Sequence, residues 1–258
     1  MGPAGREQIE GRNPVLEALR AGREIDRVII AKGLERGFLE RLKAMAGERA
    51  IAIEAVDRSK LDALAQTRAH QGVLAYAPAR RQVDLSDLLA RANRSEPALL
   101  VALDGVEDPQ NLGAIIRSAE AAGAHGVVAT ERRSAPLGPG AIKASAGAVE
   151  HLPVARVVNL ARAIEEMKEA GVWVFGADGG GDRVYHEADL SGPVVLVIGG
   201  EGRGLSRLVR ERCDFLIRIP MFGRVNSLNA SAAAAILLFE VRRQREGGRA
   251  NTFHRGGR

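Results

Sequence analysis

Four small polar residues, Asn226, Ser227, Asn229 and Ser231, crowd into one short stretch just ahead of an alanine-rich run that reaches Phe239. A helix N-terminus needs only one such group as its cap, so the excess points to a site. Two earlier segments have a related character. The apolar run Ala98–Leu103 ends in a polar loop, with Asn111 placed to cap the helix that follows and Arg117 one to two turns further on. The apolar run Val194–Ile198 enters Gly199-Gly200-Glu201-Gly202-Arg203-Gly204, a turn whose glycines let a ligand approach the main chain. In open α/β sheets ligands bind outside the carboxyl ends of the strands, where such loops lie. Amide, carboxylate and guanidinium groups gathered there can hold a polar ligand and stabilise developing charge. Each segment also has an ordinary reading: a capping Asn with a surface Arg, a tight turn with a solvated Glu201, and an amphipathic helix with a polar cap.

Other chemistries fit less well. Gly200 and Gly202 have the spacing of a dinucleotide-binding turn, but its third glycine falls at Leu205. The acid expected about 20 residues on is replaced by Met221-Phe222-Gly223. No Walker-type phosphate loop occurs. His70, His125, His151, His186 and Cys213 show no metal-ligand spacing, so no metal is expected. A net charge of +5 permits nucleic-acid binding without establishing it. Arg203, Arg207 and Arg210 share a face if their segment is helical, which reads equally as a solvated face or a track for RNA. Arg132, Arg133 and Lys143 are further cations of that kind. With aromatic residues at 3%, extensive base stacking is not expected, and RNA contact falls to backbone, shape and 2′-hydroxyl groups.

The elements that position these groups read as α/β. Residues 1–78 form a small unit. A helix opens at Asn13-Pro14 with Asn13 as cap, strands cover Arg27–Ala31, Ala50–Val56 and Gly72–Ala77, a helix carries Phe38, Leu39, Leu42 and Met45, and a third is capped by Ser59. Residues 79–97 read as a linker with a short helical pattern around Leu85, Leu88 and Leu89. Residues 98–245 alternate apolar strands (98–103, 126–129, 172–177, 194–199, 215–219) with helices, which indicates a mostly parallel sheet. Residues 246–258 read as a disordered basic tail. Met1–Glu10 has charges and no apolar stretch, so no secretory signal is expected, and no run is long enough to span a membrane. A single cysteine fits a reducing, cytoplasmic setting.

In this order, D-G-V-x-D-P-x-N-L-G-A-x-x-R (104–117), G-G-E-G-x-G-L (199–205) and I-P-M-x-G-x-V-x-S-L-N-x-S (219–231) resemble the three motifs of the SpoU-type RNA 2′-O-ribose methyltransferases. In the N-terminal unit, G-R-N-P-V-L-E-A-L (11–19) and H-Q-G-V (70–73) resemble the ribosomal-RNA branch of that family. The resemblance implies a SPOUT-type domain with a deep trefoil knot, which would be an exception to the rule that chains do not thread loops. It also implies an N-terminal domain similar to the ribosomal protein L30 fold, a homodimer with the active site near the subunit interface, and S-adenosylmethionine as methyl donor. The substrate it implies is a guanosine of large-subunit (23S) ribosomal RNA. Transfer RNA and a non-catalytic RNA-binding role are the alternatives. By the same resemblance Gly199, Gly200, Gly202, Ile219, Met221 and Leu228 contact or shape the cofactor site. Asn111, Arg117, Glu201, Ser227 and Asn229 are the catalytic set. Arg203 and Arg207, from their clustering, are expected to meet RNA, with Arg12 and His70 of the N-terminal unit assisting. A guanidinium stays charged, so Arg117 is expected to bind a phosphate and stabilise a developing alkoxide rather than remove a proton, with Glu201 orienting it or neighbouring polar groups. Position 226 is Asn where some relatives carry Ser, a departure that touches fine geometry only.

Overall fold

Residues 6–68, 70–80, 83–92 and 96–247 are described by the computed structural model, so the tail expected over 246–258 lies almost wholly outside the described residues. The N-terminal unit runs β1 (Arg6–Glu10), α1 (Arg12–Arg20), β2 (Arg27–Ala31), α2 (Arg36–Gly47), β3 (Ala52–Val56), α3 (Arg58–Leu64) and β4 (Val73–Pro78). Its sheet order is β1-β4-β2-β3, antiparallel except where β2 meets β3. The helical spacing of Phe38 and Leu42 buries both against one sheet face, while Leu61 of α3 is buried with Ile29, Leu74 and Tyr76 on the other.

Three local expectations are corrected. The cap of α1 is Gly11, at φ +106°, and not Asn13. Asp57 precedes α3, so Ser59 lies inside the helix. β1 was not foreseen, because its buried face is polar. Glu10 is fully buried and its carboxylate accepts from Gln66 N (2.6 Å), Thr67 N (3.0 Å) and the Thr67 hydroxyl. A carboxylate fully satisfied by a loop can occupy a core position that hydrophobic patterning assigns to apolar residues.

The C-terminal unit runs α4 (Leu85–Ala92), β5 (Leu99–Asp104), α5 (Pro109–Ala121), β6 (Gly126–Thr130), α6 (Pro139–Ala144), β7 (Val154–Val157), α7 (Leu160–Glu169) and β8 (Trp173–Ala177), then β9 (Arg183–Val184), β10 (Val194–Gly199), α8 (Arg207–Arg212), β11 (Phe215–Arg218) and α9 (Ala230–Glu246). The sheet order is β7-β6-β5-β10-β8-β11-β9, with every pairing parallel. β5 as far as Leu103, and β10 throughout, are apolar because both their faces are covered. Leu99, Val101 and Leu103 join the core under α5 and α9, while Leu100 and Ala102 join the core under α4 and α7. Leu85, Leu88 and Ala92, inside the stretch read as a linker, are buried in that second core. β7 and β9 were not foreseen: one carries an arginine mid-strand and the other has two residues.

The late strands β10 and β11 insert between strands laid down earlier, so β5 and β10 become neighbours although 95 residues separate their paired ends, Asp104 and Gly199. From β11 the chain returns to the mouth of β5 and β10, where Asn229 meets Asn111 and Glu201 before α9 begins. Gly113 lets α5 and α6 touch, since a Cβ there would stand 2.4 Å from Ala141 O and from Ala144 Cβ.

The two units share one continuous apolar core and a half-buried ionic quartet. Arg23 pairs with Glu7 (2.7 Å) and Glu150 (3.2 Å), and Arg80 pairs with the same two carboxylates (3.1 and 2.6 Å). The adjoining carboxylates raise the Arg23 guanidinium above its ordinary value although burial opposes them.

Candidate active site

α5 begins earlier than expected. Pro109 is its first residue and Asp108 its cap, accepting from Gln110 N at 2.9 Å. Asn111, read as the cap, is therefore within the helix and free to face the sheet, where it is 5% exposed. The turn after β10 folds tightly onto the chain itself. A Cβ on Gly200 would lie 2.0 Å from Gly105 O, and one on Gly199 would lie 2.2 Å from Gly204 C. These two glycines are required first by main-chain packing. Gly202 and Gly204 have nothing against them but adopt φ +76° and +63°.

This packing brings three of the expected residues together. Asn111 Nδ2 donates to Glu201 Oε1 at 2.6 Å. Asn229 Nδ2 donates to the same carboxylate oxygen at 2.8 Å and to Asn111 Oδ1 at 2.9 Å. Asn229 Oδ1 meanwhile caps α9, accepting from Ser231 N (2.8 Å) and the Ser231 hydroxyl (2.6 Å). Glu201 thus orients two amides and not Arg117. Arg117 is exposed and has no ion pair among the described residues. Six residues on from Asn111, it emerges about 240° around the helix from it. Ser227 is exposed and outside the cluster.

Met221 and Leu228 are 38% and 39% exposed, and Ile219 is half-buried. Among the described residues the main chain from Met221 to Leu228 makes no hydrogen bond, so its N–H and C=O groups stand open beside apolar side chains. Unpaired main-chain groups of this kind can read the polar edge of a flat heterocycle. Phe222, Val225, Ile236 and Phe239 are exposed as well.

A cleft of about 1450 Å³ opens at the carboxyl ends of β5, β6 and β10, with Asn111, Glu201, Arg132, Arg133, Arg203 and Arg207 in its wall. Among the described residues Arg207 has only the exposed Glu211 as an ion-pair partner, at 3.7 Å. In the N-terminal unit, Arg12 lies over the Phe38 ring at 5.2 Å and faces Glu35 at 3.4 Å. His70 is buried: Nδ1 accepts from Gly72 N (3.1 Å), so Nε2 carries the proton and faces Asp62 at 2.9 Å. Two residues that sequence reasoning left without a role are Asp104 and Arg156. Asp104 Oδ2 accepts from Ser206 N at 2.6 Å and fixes the far end of the glycine turn. The signals for them were an acid closing an apolar strand and an arginine between valines. Among the described residues no group of His, Cys, Asp or Glu could hold a metal ion.

A parallel α/β sheet with a cleft at the carboxyl ends of its central strands, and an amide–carboxylate cluster closed by a returning segment, defines an open α/β protein built to hold a ligand at that edge. The SpoU rRNA Methylase family matches residues 98–239, and the RNA 2′-O ribose methyltransferase substrate-binding family matches residues 8–83. This chain belongs to the SpoU RNA methyltransferase family. YacO of Bacillus subtilis (strain 168), named for the TrmH family of tRNA/rRNA methyltransferases, is 45% identical over 240 residues, spanning 93% of this chain and 96% of that one. The SpoU methyltransferase AviRb of Streptomyces viridochromogenes, solved in complex with AdoMet, is 29% identical with a TM-score of 0.79, covering 95% of this chain and 92% of that one. The AdoMet-bound rRNA methyltransferase of Sinorhizobium meliloti is 32% identical with a TM-score of 0.77, covering 93% and 87%. The fold expected from the motifs, a parallel-sheet SPOUT domain behind a small α/β substrate-binding unit, is the fold found.

Proposed function

We propose that this chain methylates a ribose 2′-hydroxyl of RNA with S-adenosylmethionine, and that its substrate is a guanosine of large-subunit (23S) ribosomal RNA. The observation that carries the reading is the Asn111–Glu201–Asn229 cluster, which joins all three motifs at the mouth of β5 and β10. The cofactor fits the open main chain of Met221–Leu228 and the turn at Gly199–Gly202. When bound, it supplies a methyl group on a sulfonium, already activated for transfer. The protein's share is alignment and charge. Glu201 and Asn229 hold the crossing segment in place. Arg117, always cationic and outside this chain's own cluster and cleft wall, is assigned to bind phosphate and stabilise negative charge growing on the ribose oxygen in a site shared with a second copy.

The exposed apolar side chains Phe222, Val225, Ile236 and Phe239 support a homodimer, with a second copy covering them and the site near the interface. The cytoplasm is the proposed setting, in keeping with a single free cysteine. A transfer-RNA substrate is the second reading, favoured by relatives named for tRNA/rRNA methyl transfer.

The test is incubation with radiolabelled S-adenosylmethionine and separate ribosomal and transfer RNA, with Arg117→Ala alongside. Label recovered as a 2′-O-methylguanosine of ribosomal RNA, and lost in the variant, is the expected result. Label on transfer RNA alone overturns the substrate, and absence of both label and cofactor binding makes the protein a non-catalytic RNA binder.

A further inference from the structure

Residues 130–136 separate two cavities. One is the cleft described above. The other, about 910 Å³, lies where the two units meet and has Arg91, Glu131, Ser134 and Arg156 in its wall. The loop between them is tied at several points. Glu131 N donates to Val157 O (2.9 Å), Ala135 N to Val106 O (2.8 Å), and Thr130 Oγ1 to Arg132 O (2.7 Å). Arg156 of β7 spends its guanidinium on the same loop. Nη1 donates to Thr130 O (2.9 Å) and Ser134 Oγ (3.1 Å), and Nη2 to Ala135 O (2.6 Å).

Arg133 adopts φ +53°, a conformation disfavoured for a residue with a side chain. Its surroundings must impose that shape, and Arg156 supplies three hydrogen bonds that bracket Arg132 and Arg133. The shaped loop presents Arg132 and Arg133, both exposed, both in the cleft wall, and neither ion-paired among the described residues. Arg203 and Arg207 line the same cleft from the β10–α8 side. Of the acids there, Asp104, Asp108 and Glu201 are engaged by protein N–H groups, leaving Glu107 and Glu131 at the rim.

We propose that Arg132 and Arg133 form a preset grip on the sugar–phosphate strand of RNA entering the cleft, and that Arg156 is the residue that positions them. This rests on the RNA methyl-transfer reading above. Planar guanidinium forks match phosphate geometry, and a grip held in shape before binding loses less entropy on contact.

The test is anisotropy of a short fluorescein-labelled single-stranded RNA across a salt series, with S-adenosylmethionine affinity as a control on folding. Arg132→Ala/Arg133→Ala is expected to weaken RNA binding about ten-fold and to flatten the log–log salt slope by about 1.4, since each phosphate contact to a single strand contributes roughly 0.7. Arg156→Gln is expected to weaken binding comparably, and to have no further effect once Arg132 and Arg133 are alanine. Arg156→Lys keeps the charge without the fork, and carries the same comparison if the glutamine variant does not fold. Wild-type affinity and slope in the double variant, or no RNA binding by the unaltered protein, overturns the grip. Equal weakening by Arg156→Gln in both backgrounds overturns the positioning role. RNA binding that follows the expected pattern without methyl transfer leaves the grip standing and removes the enzymatic reading instead.

Discussion

Asn229 stands 2.8 Å from Glu201 through its amide nitrogen while its amide oxygen caps α9, so one side chain ties the start of the last helix to the turn after β10. The two roles are separable. Asn229→Asp keeps a capping oxygen but sets a second carboxylate beside Glu201, whereas Asn229→Ala removes both functions. Thermal melts are expected to show a loss of about 1 kcal/mol from the missing cap in the alanine variant. Single-turnover methyl transfer is expected to fall about 100-fold or more in both.

Arg117 is exposed and its side chain makes no hydrogen bond or ion pair among the described residues, so its loss is expected to leave stability nearly unchanged. Arg117→Ala is expected to slow methyl transfer by about 10² to 10³ while S-adenosylmethionine affinity stays constant. Arg117→Lys is expected to recover little, because a point charge does not reproduce the fork. Near-wild-type turnover of the lysine variant would show that bidentate geometry is irrelevant.

The glycines of the β10 turn are expected to separate into two kinds. Gly200→Ala drives a methyl group onto the Gly105 carbonyl, a main-chain atom that cannot step aside, so the turn must shift and cofactor affinity falls with it. Gly202→Ala meets no atom and bears only the left-handed conformation at φ +76°, a cost of about 1 kcal/mol. Calorimetric titration of S-adenosylmethionine against both variants makes the comparison.

Glu150, with its side chain 3% exposed, neutralises Arg23 and Arg80 across the boundary between the units. Glu150→Ala leaves two guanidinium groups short of charge in a part-buried site. A loss of about 3 kcal/mol is expected in denaturant melts, together with a larger radius of gyration in solution scattering. Loss of stability without expansion would mean that the shared apolar core alone sets the arrangement of the units.

Burial holds the His125 imidazole below its ordinary value, and Nδ1 accepts from Leu99 N at 3.1 Å. The unfolded chain therefore takes up this proton more readily than the folded one. Stability is whole above the unfolded value of about 6.5 and falls as the pH drops below it. Glu96, held low by its hydrogen bond from Arg242, contributes an acid loss only nearer pH 4. Melting temperatures between pH 7.5 and 5.5 should decline less in His125→Asn, which keeps an acceptor and cannot be protonated.

The periodic elements were legible because their causes are local. Runs such as Val194–Ile198 and the three-and-four spacing of Phe38 and Leu42 declare buried strand and amphipathic helix wherever they occur. Helix starts were less legible. Asn13, Ser59 and Asn111 all have the chemistry of a cap, yet Gly11, Asp57 and Asp108 hold those positions. Which residue turns the chain depends on where the preceding segment arrives. β1 and β7 were hidden by Glu10 and Arg156, charged groups whose partners are distant main-chain atoms.

The sequence by itself determined the α/β alternation, the polar residues of the site and the family, since apolar period and motif spacing are properties of short stretches. Only the tertiary structure decided that Asn111, Glu201 and Asn229 meet while Arg117 faces elsewhere. It also decided that Gly199 and Gly200 answer to their own main chain, and that Arg156 shapes the loop carrying Arg132 and Arg133. Those contacts span up to 118 residues for Asn111 and Asn229. The site cluster exists because β10 enters the sheet beside β5 and the chain then returns over both, and the Arg156 contacts because β7 pairs with β6, a strand order that local hydrophobic patterning does not encode.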